Sequence, residues 1–428
     1  MEKTEEEVIW SRSNGSLFED FAISLEEYTK TGKAPAEGDQ DIQYGLELQD
    51  ERLQKKGLSM EYKFVPRGHL PKGTEKNKSW SDEHYTSTLW WRRCKMYRSF
   101  FRGTKKEYEN KENMSFCQTI TDVNGPGLIG RDVYNCPNCG AAVTIGELQK
   151  GCPYCSAHFE ISDIFPVVSN YYFLKDPYMT DKEYKAYLAK FIIGCAALVL
   201  ICGTFYNFFC GDSTKGSLIL SMLSSVLSSI FGGVVLGYFI ASIAMLGKLM
   251  REAGKELSLL PSMGTGGRFA RKMKRYSPEF SYEYFSNKLV SLLRMIMFAD
   301  DPSDLPVYIG KPLGSLFENI VDVAYTGVLG FRDLTVNGDY CLVSVDVFLD
   351  NLYDNGKRIF QRREKYRVWV KKNINKPVNM HFSIRHLQCK GCGMSFDAVK
   401  EKHCPGCGMA YDLENEDWVV TRMEKKIY

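Results

Sequence analysis

Charge is missing from two long stretches of this chain. Residues 191–210 and 216–247, runs of twenty and thirty-two, contain no Asp, Glu, Lys, Arg or His. A helix needs about twenty apolar residues to cross the hydrocarbon core, so the first run just spans. The second is too long for one untilted span. Its Ser-rich opening, GSLILSMLSSVLSS, reads as interfacial or as a helix extension, with the span at 226–247. Without an acidic, basic or histidine side chain inside, neither run offers an ion or proton pathway, which argues against a channel or pump built from this chain alone. The opening MEKTEEEVIW lacks an apolar h-region and is acidic, so it is neither a secretory signal nor an Arg-rich transit peptide. A net charge of only +3 over 428 residues gives no global polyanion signal. Ser-His-Asp, P-loop and G-x-G-x-x-G assemblies are missing from any supporting context.

What is present begins with the charged flanks of those runs. Only Gly211, Asp212, Ser213, Thr214 and Lys215 separate them, a link that makes an antiparallel helical hairpin. Gly233, Gly237 and Ala241 form an i, i+4, i+8 stripe of small residues that lets a partner helix approach closely. Lys215 is the one basic residue in the link. Lys175, Lys182, Lys185 and Lys190 precede the first run, and Lys248, Arg251, Lys255, Arg268, Arg271, Lys272, Lys274 and Arg275 follow the second. The positive-inside rule then places both termini in the cytoplasm.

Eight of the fourteen cysteines form two quartets, Cys136, Cys139, Cys152, Cys155 and Cys389, Cys392, Cys404, Cys407. Each is C-x2-C, a spacer of twelve or eleven residues, and C-x2-C again. Two tight turns at that spacing present four thiolates tetrahedrally to one Zn²⁺, so two structural zinc ions are expected. A structural site of this kind uses all four ligands, and His158 and His403 are read as non-ligands beside complete quartets. A disulfide framework and CxxC redox chemistry are the competing readings. Metal-poised thiolates call for a reducing compartment, which agrees with the charge-derived topology.

The expected organisation follows from these landmarks. Residues 1–85 read as a flexible acidic and polar region, with Glu5, Glu6, Glu7, Glu19, Asp20, Glu26 and Glu27 forming either a docking arm or a solvated tail. Within 86–130, Trp90, Cys94, Tyr97 and Phe101 recur at four-three-four spacing among many Lys and Arg, which predicts a basic amphipathic helix over 90–114. That helix lies on an anionic leaflet, packs on the first zinc module or, as a third reading, contacts nucleic acid. A zinc ribbon follows at 131–165, the transmembrane hairpin at 188–247 and a basic linker at 248–276.

Linker residues 248–275 hold eight Lys/Arg against Glu252 and Glu256, a local +6, with Phe269 and Met273 interleaved, which favours anionic lipid. From 277, helical periodicity in Phe285, Leu289, Leu292 and Ile296 and then in Leu313, Leu316, Phe317, Ile320, Val323 and Ala324 predicts two helices. Strands are expected at Val343–Leu349, after the Asn355-Gly356 turn, through Val378, Met380, Phe382 and Ile384, and at Asp417–Arg422. The second ribbon, 388–410, then sits at the tip of the last hairpin and pins its register.

The helix pair, the meander and the closing D-W-V-V-T-R, with Trp418 and Arg422, resemble the Tim-forty-four-like domain, named for a peripheral subunit of the mitochondrial inner-membrane protein translocase. The likeness covers about 277–428. It implies an α+β fold with a cone like that of nuclear transport factor two, enclosing an apolar pocket, and membrane association with affinity for acidic lipid. The whole layout looks like bacterial membrane proteins that combine zinc ribbons, a hairpin anchor and this domain, which implies a bacterial plasma membrane. The mitochondrial members lack hairpin and ribbons, so a motor-tethering role does not carry over. The expectation is a non-enzymatic, membrane-anchored adaptor in protein transport or envelope assembly that binds a protein or peptide, and it is compatible with a homo-oligomer. Two alternatives stand beside it. One is an enzyme using the cone pocket, although Asp346, His381 and Arg385 read as surface residues. The other is a nucleic-acid reader, which the single basic residue of the first ribbon, Lys150, disfavours.

Overall fold

The computed structural model describes residues 16–68, 78–125, 129–176, 181–210, 218–256, 264–376, 380–381 and 386–426. Two antiparallel meanders, one on either side of the membrane-length helices, organise the chain. The first half runs α1 (Leu17–Thr31), α2 (Gln40–Lys55), β1 (Leu58–Pro66), β2 (Lys78–Ser81), β3 (Tyr85–Arg102) and β4 (Lys105–Val123). Then come β5 (Val133–Asn135), β6 (Ala142–Thr144), α3 (Ile145–Lys150) and α4 (Ile161–Ile164) around the first cysteine quartet, and β7 (Val167–Lys175). The helices α5 (Asp181–Cys210) and α6 (Leu218–Glu256) follow. The second half runs α7 (Thr265–Met273), α8 (Tyr282–Phe298), β8 (Ile320–Asn337), β9 (Tyr340–Asp354), β10 (Ile359–Asn373), β11 (His386–Gln388), β12 (Ser395–Asp397) and β13 (Val419–Lys426).

The halves repeat one plan. The strand orders are β1-β3-β4-β7, with β2 also on β3, and β8-β9-β10-β13. In each, a helix precedes a three-strand meander, a cysteine quartet follows the third long strand, and the last strand returns antiparallel onto that third strand. Val168 and Val420 hold matching places, each thirteen residues past the last cysteine of its quartet, Cys155 or Cys407. Both are bridged in parallel by the loop after the half's first helix of the plan, at Gly38 and at Tyr308. Val168 N–H donates to Glu37 O at 2.8 Å and Val168 O accepts from Asp39 N–H at 2.8 Å; Val420 N–H donates to Val307 O at 2.8 Å and Val420 O accepts from Ile309 N–H at 2.9 Å.

The two halves share their cores. Val321, Leu352 and Ile359 join Phe18, Phe21, Leu25, Phe64, Phe100 and Phe116 in the core of the first half. Tyr44 and Leu48 join Phe285, Leu289, Val343, Val345, Val368 and Trp418 in that of the second. Helix α2 makes this sharing happen: Ile42, Leu46 and Leu53 face one core, Tyr44 and Leu48 the other. The second half has only a 3-10 turn, Gly314–Phe317, where the first has α2. Arg52 of α2 locks the junction. Its guanidinium donates to the carbonyls of Phe298 and Ala299, at the end of α8, and to those of Phe317, Glu318 and Ile320. A helix end otherwise leaves such carbonyls unsatisfied. The segments before and after α5–α6 therefore build one unit, and α5–α6 forms a second.

Several sequence expectations change. Residues 17–66 are folded rather than flexible: Phe18, Phe21, Ala22, Leu25 and Tyr28 give α1 one buried face, and Asp39 caps α2 by accepting from Ile42 N–H at 3.0 Å. Residues 1–15 and 69–77 lie outside the described residues. The expected amphipathic helix over 90–114 is instead the β3–β4 hairpin, turning at Gly103 with φ 58°. Its basic residues misled because two of them are buried ion-pair partners: Arg93 Nε meets Asp176 at 2.7 Å and Arg98 Nη1 meets Asp322 at 2.6 Å. The helix expected over 313–324 is the 3-10 turn and the start of β8, whose bulge after Ile320 disturbs strand alternation. β13 pairs antiparallel with β10, so the second quartet lies in the connection that joins the last two strands of this sheet. Val378, Phe382, Ile384 and Arg385 lie outside the described residues.

The expected hairpin residues form two helices long and apolar enough to cross a membrane, over Glu183–Phe205 and Ile230–Gly247. They run antiparallel and close. A Cβ on Gly233 would stand 2.5 Å from Ala196 Cβ, and one on Gly237 would stand 2.6 Å from Ile192 Cα, while Ala241 is buried.

Candidate metal centres

Each cysteine pair sits on the same backbone device. The first cysteine's N–H reaches the carbonyl five residues on, as in Cys136 to Ala141, Cys152 to Ala157, Cys389 to Met394 and Cys404 to Met409, and its own carbonyl accepts from the residue four on. That fourth residue takes a left-handed backbone: Gly140 at φ 73°, Gly393 at 72°, Gly408 at 72°, and Ser156 at 60°. Glycine adopts this region without steric cost, so Ser156 is the strained member of the four. The turns aim the sulfur atoms inward.

Within each quartet the four Sγ atoms all lie within 4.8 Å of one another. Cys136–Cys155 and Cys139–Cys152 are 3.6 and 3.7 Å apart, and Cys389–Cys407 and Cys392–Cys404 are both 3.5 Å. A disulfide needs about 2.05 Å, and a tetrahedral ion with bonds of about 2.3 Å places sulfurs about 3.8 Å apart. The described cysteines are free thiols, and the quartets are compatible with two structural metal sites. Asn138, with the Ala157 N–H, pulls the Cys155 thiol down to about 6, and the N–H groups of Cys392 and Gly391 do the same for Cys389. Neither His158 nor His403 joins a quartet. The first quartet anchors a small core of its own, with Ile129, Val143, Ile145, Leu148, Phe165 and Val167.

Sequence reasoning missed two polar clusters that the fold assembles. His381, expected on a strand surface, is 2% exposed. Ser87 Oγ lies 2.8 Å from its Nδ1, and Asp82 Oδ2 lies 3.1 Å from its Nε2. Burial holds this imidazole below the usual histidine range, outweighing the nearby Asp82. A neutral ring in that setting donates through Nε2 to the carboxylate and accepts the Ser87 hydroxyl. The serine end of this chain is sealed, since Ser87 is fully buried and its Oγ also meets Thr121 Oγ1 at 2.7 Å, while Asp82 at the other end is half exposed. Residues 82, 87 and 381 stand too far apart in sequence for any motif to reveal it.

Asp346 is the second cluster. It does alternate away from the apolar face, yet it is fully buried beneath cations. Arg332 Nε approaches at 2.6 Å, Arg367 Nε at 2.7 Å and Lys365 Nζ at 3.0 Å. Burial pushes its carboxyl up, but Arg367, Lys365 and Arg332 outweigh it and hold the group down at about 2. The alternation of Val343, Val345, Val347 and Leu349 was legible; the cations that cover Asp346 come from neighbouring strands and were not. Between the halves, a cavity of about 20 Å³ is lined by Gln49, Tyr62, Arg98, Tyr171, Arg294 and Asp322 among others. That is room for roughly one water.

Comparison with family models, with curated proteins and with solved structures finds no match to this chain.

Proposed function

We propose that this chain is a non-enzymatic, membrane-anchored adaptor that binds a protein or peptide, with its metal-stapled body in the cytoplasm of a bacterium, in protein transport or envelope assembly. One observation carries this reading: each core of the body is completed by residues from the other side of the α5–α6 hairpin, Val321 and Leu352 in one and Tyr44 and Leu48 in the other. A hydrophobic core does not form across a bilayer, so both ends of a two-span hairpin return to one face. The basic flanks make that face the cytoplasmic one, where free thiols persist.

Zinc is the ion that four thiolates at tetrahedral spacing select in a reducing compartment. It would be held by Cys136, Cys139, Cys152 and Cys155 and by Cys389, Cys392, Cys404 and Cys407, supplying rigidity to two loops. The second core is filled by side chains such as Val345, Val347, Val368 and Val370, which supports binding on a surface rather than in the apolar pocket of a cone. The full burial of Ser87, which keeps its hydroxyl from any substrate, supports a non-enzymatic role. Anionic lipid remains a partner in this reading through the exposed Arg268, Arg271, Lys272, Lys274 and Arg275. Each such cation contributes about 1 kcal/mol beside an anionic leaflet. Phe269 and Met273 do not insert, because both are buried and Phe269 stacks on Phe331 at 4.0 Å.

Labelling intact cells tests the reading. A cysteine placed at Ser213 is expected to react with an impermeant thiol reagent from outside; reaction only after lysis would reverse the topology.

A further inference from the structure

The outer face of the β8-β9-β10-β13 sheet carries more positive charge than it neutralises. Lys365, Arg367 and Trp369 alternate along β10 on the side away from Tyr366, Val368 and Val370. In register beside them, Arg422 of β13 lies opposite Trp369, Glu424 opposite Arg367 and Lys426 opposite Lys365, while Asp346 of β9 lies opposite Arg367 on the other flank. Arg332 reaches in from β8. Five cations, Arg332, Lys365, Arg367, Arg422 and Lys426, thus face three carboxylates, Asp346, Glu424 and the Asp333 that lies opposite Ser344, an excess of two positive charges.

The excess is presented rather than buried. Asp346 engages Arg332 through Nε and Arg367 through Nε and Nη2, and among the described residues the remaining guanidinium nitrogens, both Nη atoms of Arg332 and Nη1 of Arg367, are left for another acceptor. The side chains are 37% and 30% exposed, and Arg422 is 63% exposed. Asp346 fixes these cations in place, which lowers the ordering cost of binding. Arg422 is also stacked over the Trp369 ring at 4.7 Å.

We propose that this face binds an extended acidic segment of a partner protein. Side chains on one face of a strand recur about every 6.6–7 Å, both in β10 and in an extended peptide. A segment laid along β10 therefore sets carboxylates at i and i+2 over Lys365 and Arg367, within reach of Arg332, and an apolar residue at i+4 beside the stacked Arg422 and Trp369. Guanidinium groups pair with carboxylates through two parallel N–H donors, and the unused donors of Arg332 and Arg367 suit that geometry. The inference deepens the adaptor reading by naming the partner's chemistry, and it rests on that reading. Its failure would leave the Ser213 labelling result untouched.

The test uses the full chain in nanodiscs of zwitterionic lipid and a fluorescein-labelled Glu-Ala-Glu-Ala-Leu peptide, read by fluorescence anisotropy. The Glu peptide is expected to bind, its Gln counterpart at least about tenfold more weakly. The paired Arg332→Gln and Arg422→Gln variant should lose about tenfold, and Arg332→Lys with Arg422→Lys should recover much of it, since charge returns without the fork. Binding should weaken as salt rises from about 0.05 to 0.3 M. Arg422→Gln alone leaves the Asp346 cluster whole and should still lose about threefold, which separates a binding effect from misfolding. Equal binding of the Glu and Gln peptides, or unchanged binding in the Gln variants, would overturn the proposal. So would loss of peptide binding in phosphatidylglycerol nanodiscs, which would give the face to lipid headgroups. Tighter, Arg422-dependent binding of a single-stranded oligonucleotide would give it to nucleic acid and equally overturn it.

Discussion

Arg98 and Asp322 meet at 2.6 Å across the junction of the two halves, each 6% exposed at the side chain. Asp322 also accepts from Tyr62 Oη and Gln49 Nε2, both at 3.1 Å, and from the neighbouring Val323 N–H at 2.9 Å, so every side chain that partners this carboxylate of the second half comes from the first. Removing one member of such a buried pair leaves the other charged and unsolvated, which costs about 3–5 kcal/mol. Asp322→Ala is therefore expected to destabilise the body by about that amount in denaturant unfolding. The double replacement Arg98→Met with Asp322→Leu should recover most of it. An Asp322→Ala loss under 1 kcal/mol would show the junction to be looser than described.

The quartets give a metal prediction with a number attached. About two zinc ions per chain are expected by elemental analysis, falling to about one in Cys404→Ser and in Cys139→Ser. Strong chelators should lower thermal stability, because closed thiolate sites couple binding to folding. Ser156 offers a stabilising change: its φ of 60° is one that glycine holds without strain. Ser156→Gly should gain about 0.5–1 kcal/mol and tighten metal retention in the first quartet. A protein purified with disulfides and no metal would contradict this.

His381 sets a pH dependence. Its imidazole is held below the ordinary value near 6.5, chiefly by burial among Trp80, Tyr85, Ser87 and Thr121, and against the pull of Asp82. The unfolded chain therefore takes up a proton before the folded one does. Stability is full above about pH 6.5 and is lost as pH falls below it. Replacing His381 by Gln should flatten the slope of stability against pH between about 5 and 6.5. An unchanged slope would remove His381 from the explanation.

Gly233 and Gly237 set the approach of α6 to α5, since a Cβ at either would meet Ala196 or the backbone of Ile192. Gly233→Ile with Gly237→Ile should part the two helices. The distance between spin labels on the exposed positions Leu198 and Leu227 should lengthen in that variant; an unchanged distance would contradict the close approach of the two helices.

What could be read in the sequence, and what could not, follows from where polarity was buried. The quartets, the uncharged runs and the β9–β10 hairpin at Asn355-Gly356 were legible because each is a local pattern. The β3–β4 hairpin was not, because Arg93 and Arg98 are core residues paired with Asp176 and Asp322, far away in sequence, and their charge imitates a solvated helix face. The helix at 313–324 was a false reading because Leu313, Leu316 and Phe317 belong to a tight turn, and the bulge after Ile320 makes the following strand drift from a period of two. The repeat was visible only in its cysteines. Elsewhere it lies in strand order and in the paired bridges at Val168 and Val420, which sequence spacing alone does not announce.

The most direct measurement cuts the hairpin link. A protease site placed at 211–215 leaves two fragments that, on this reading, still share both cores. Protease added to intact cells should cleave the link, and after solubilisation the two fragments should purify together through Arg98–Asp322, Arg52 and the shared helix α2. Cleavage only after lysis, or fragments that separate in mild detergent, would contradict a single cytoplasmic body assembled from the two sides of a membrane hairpin.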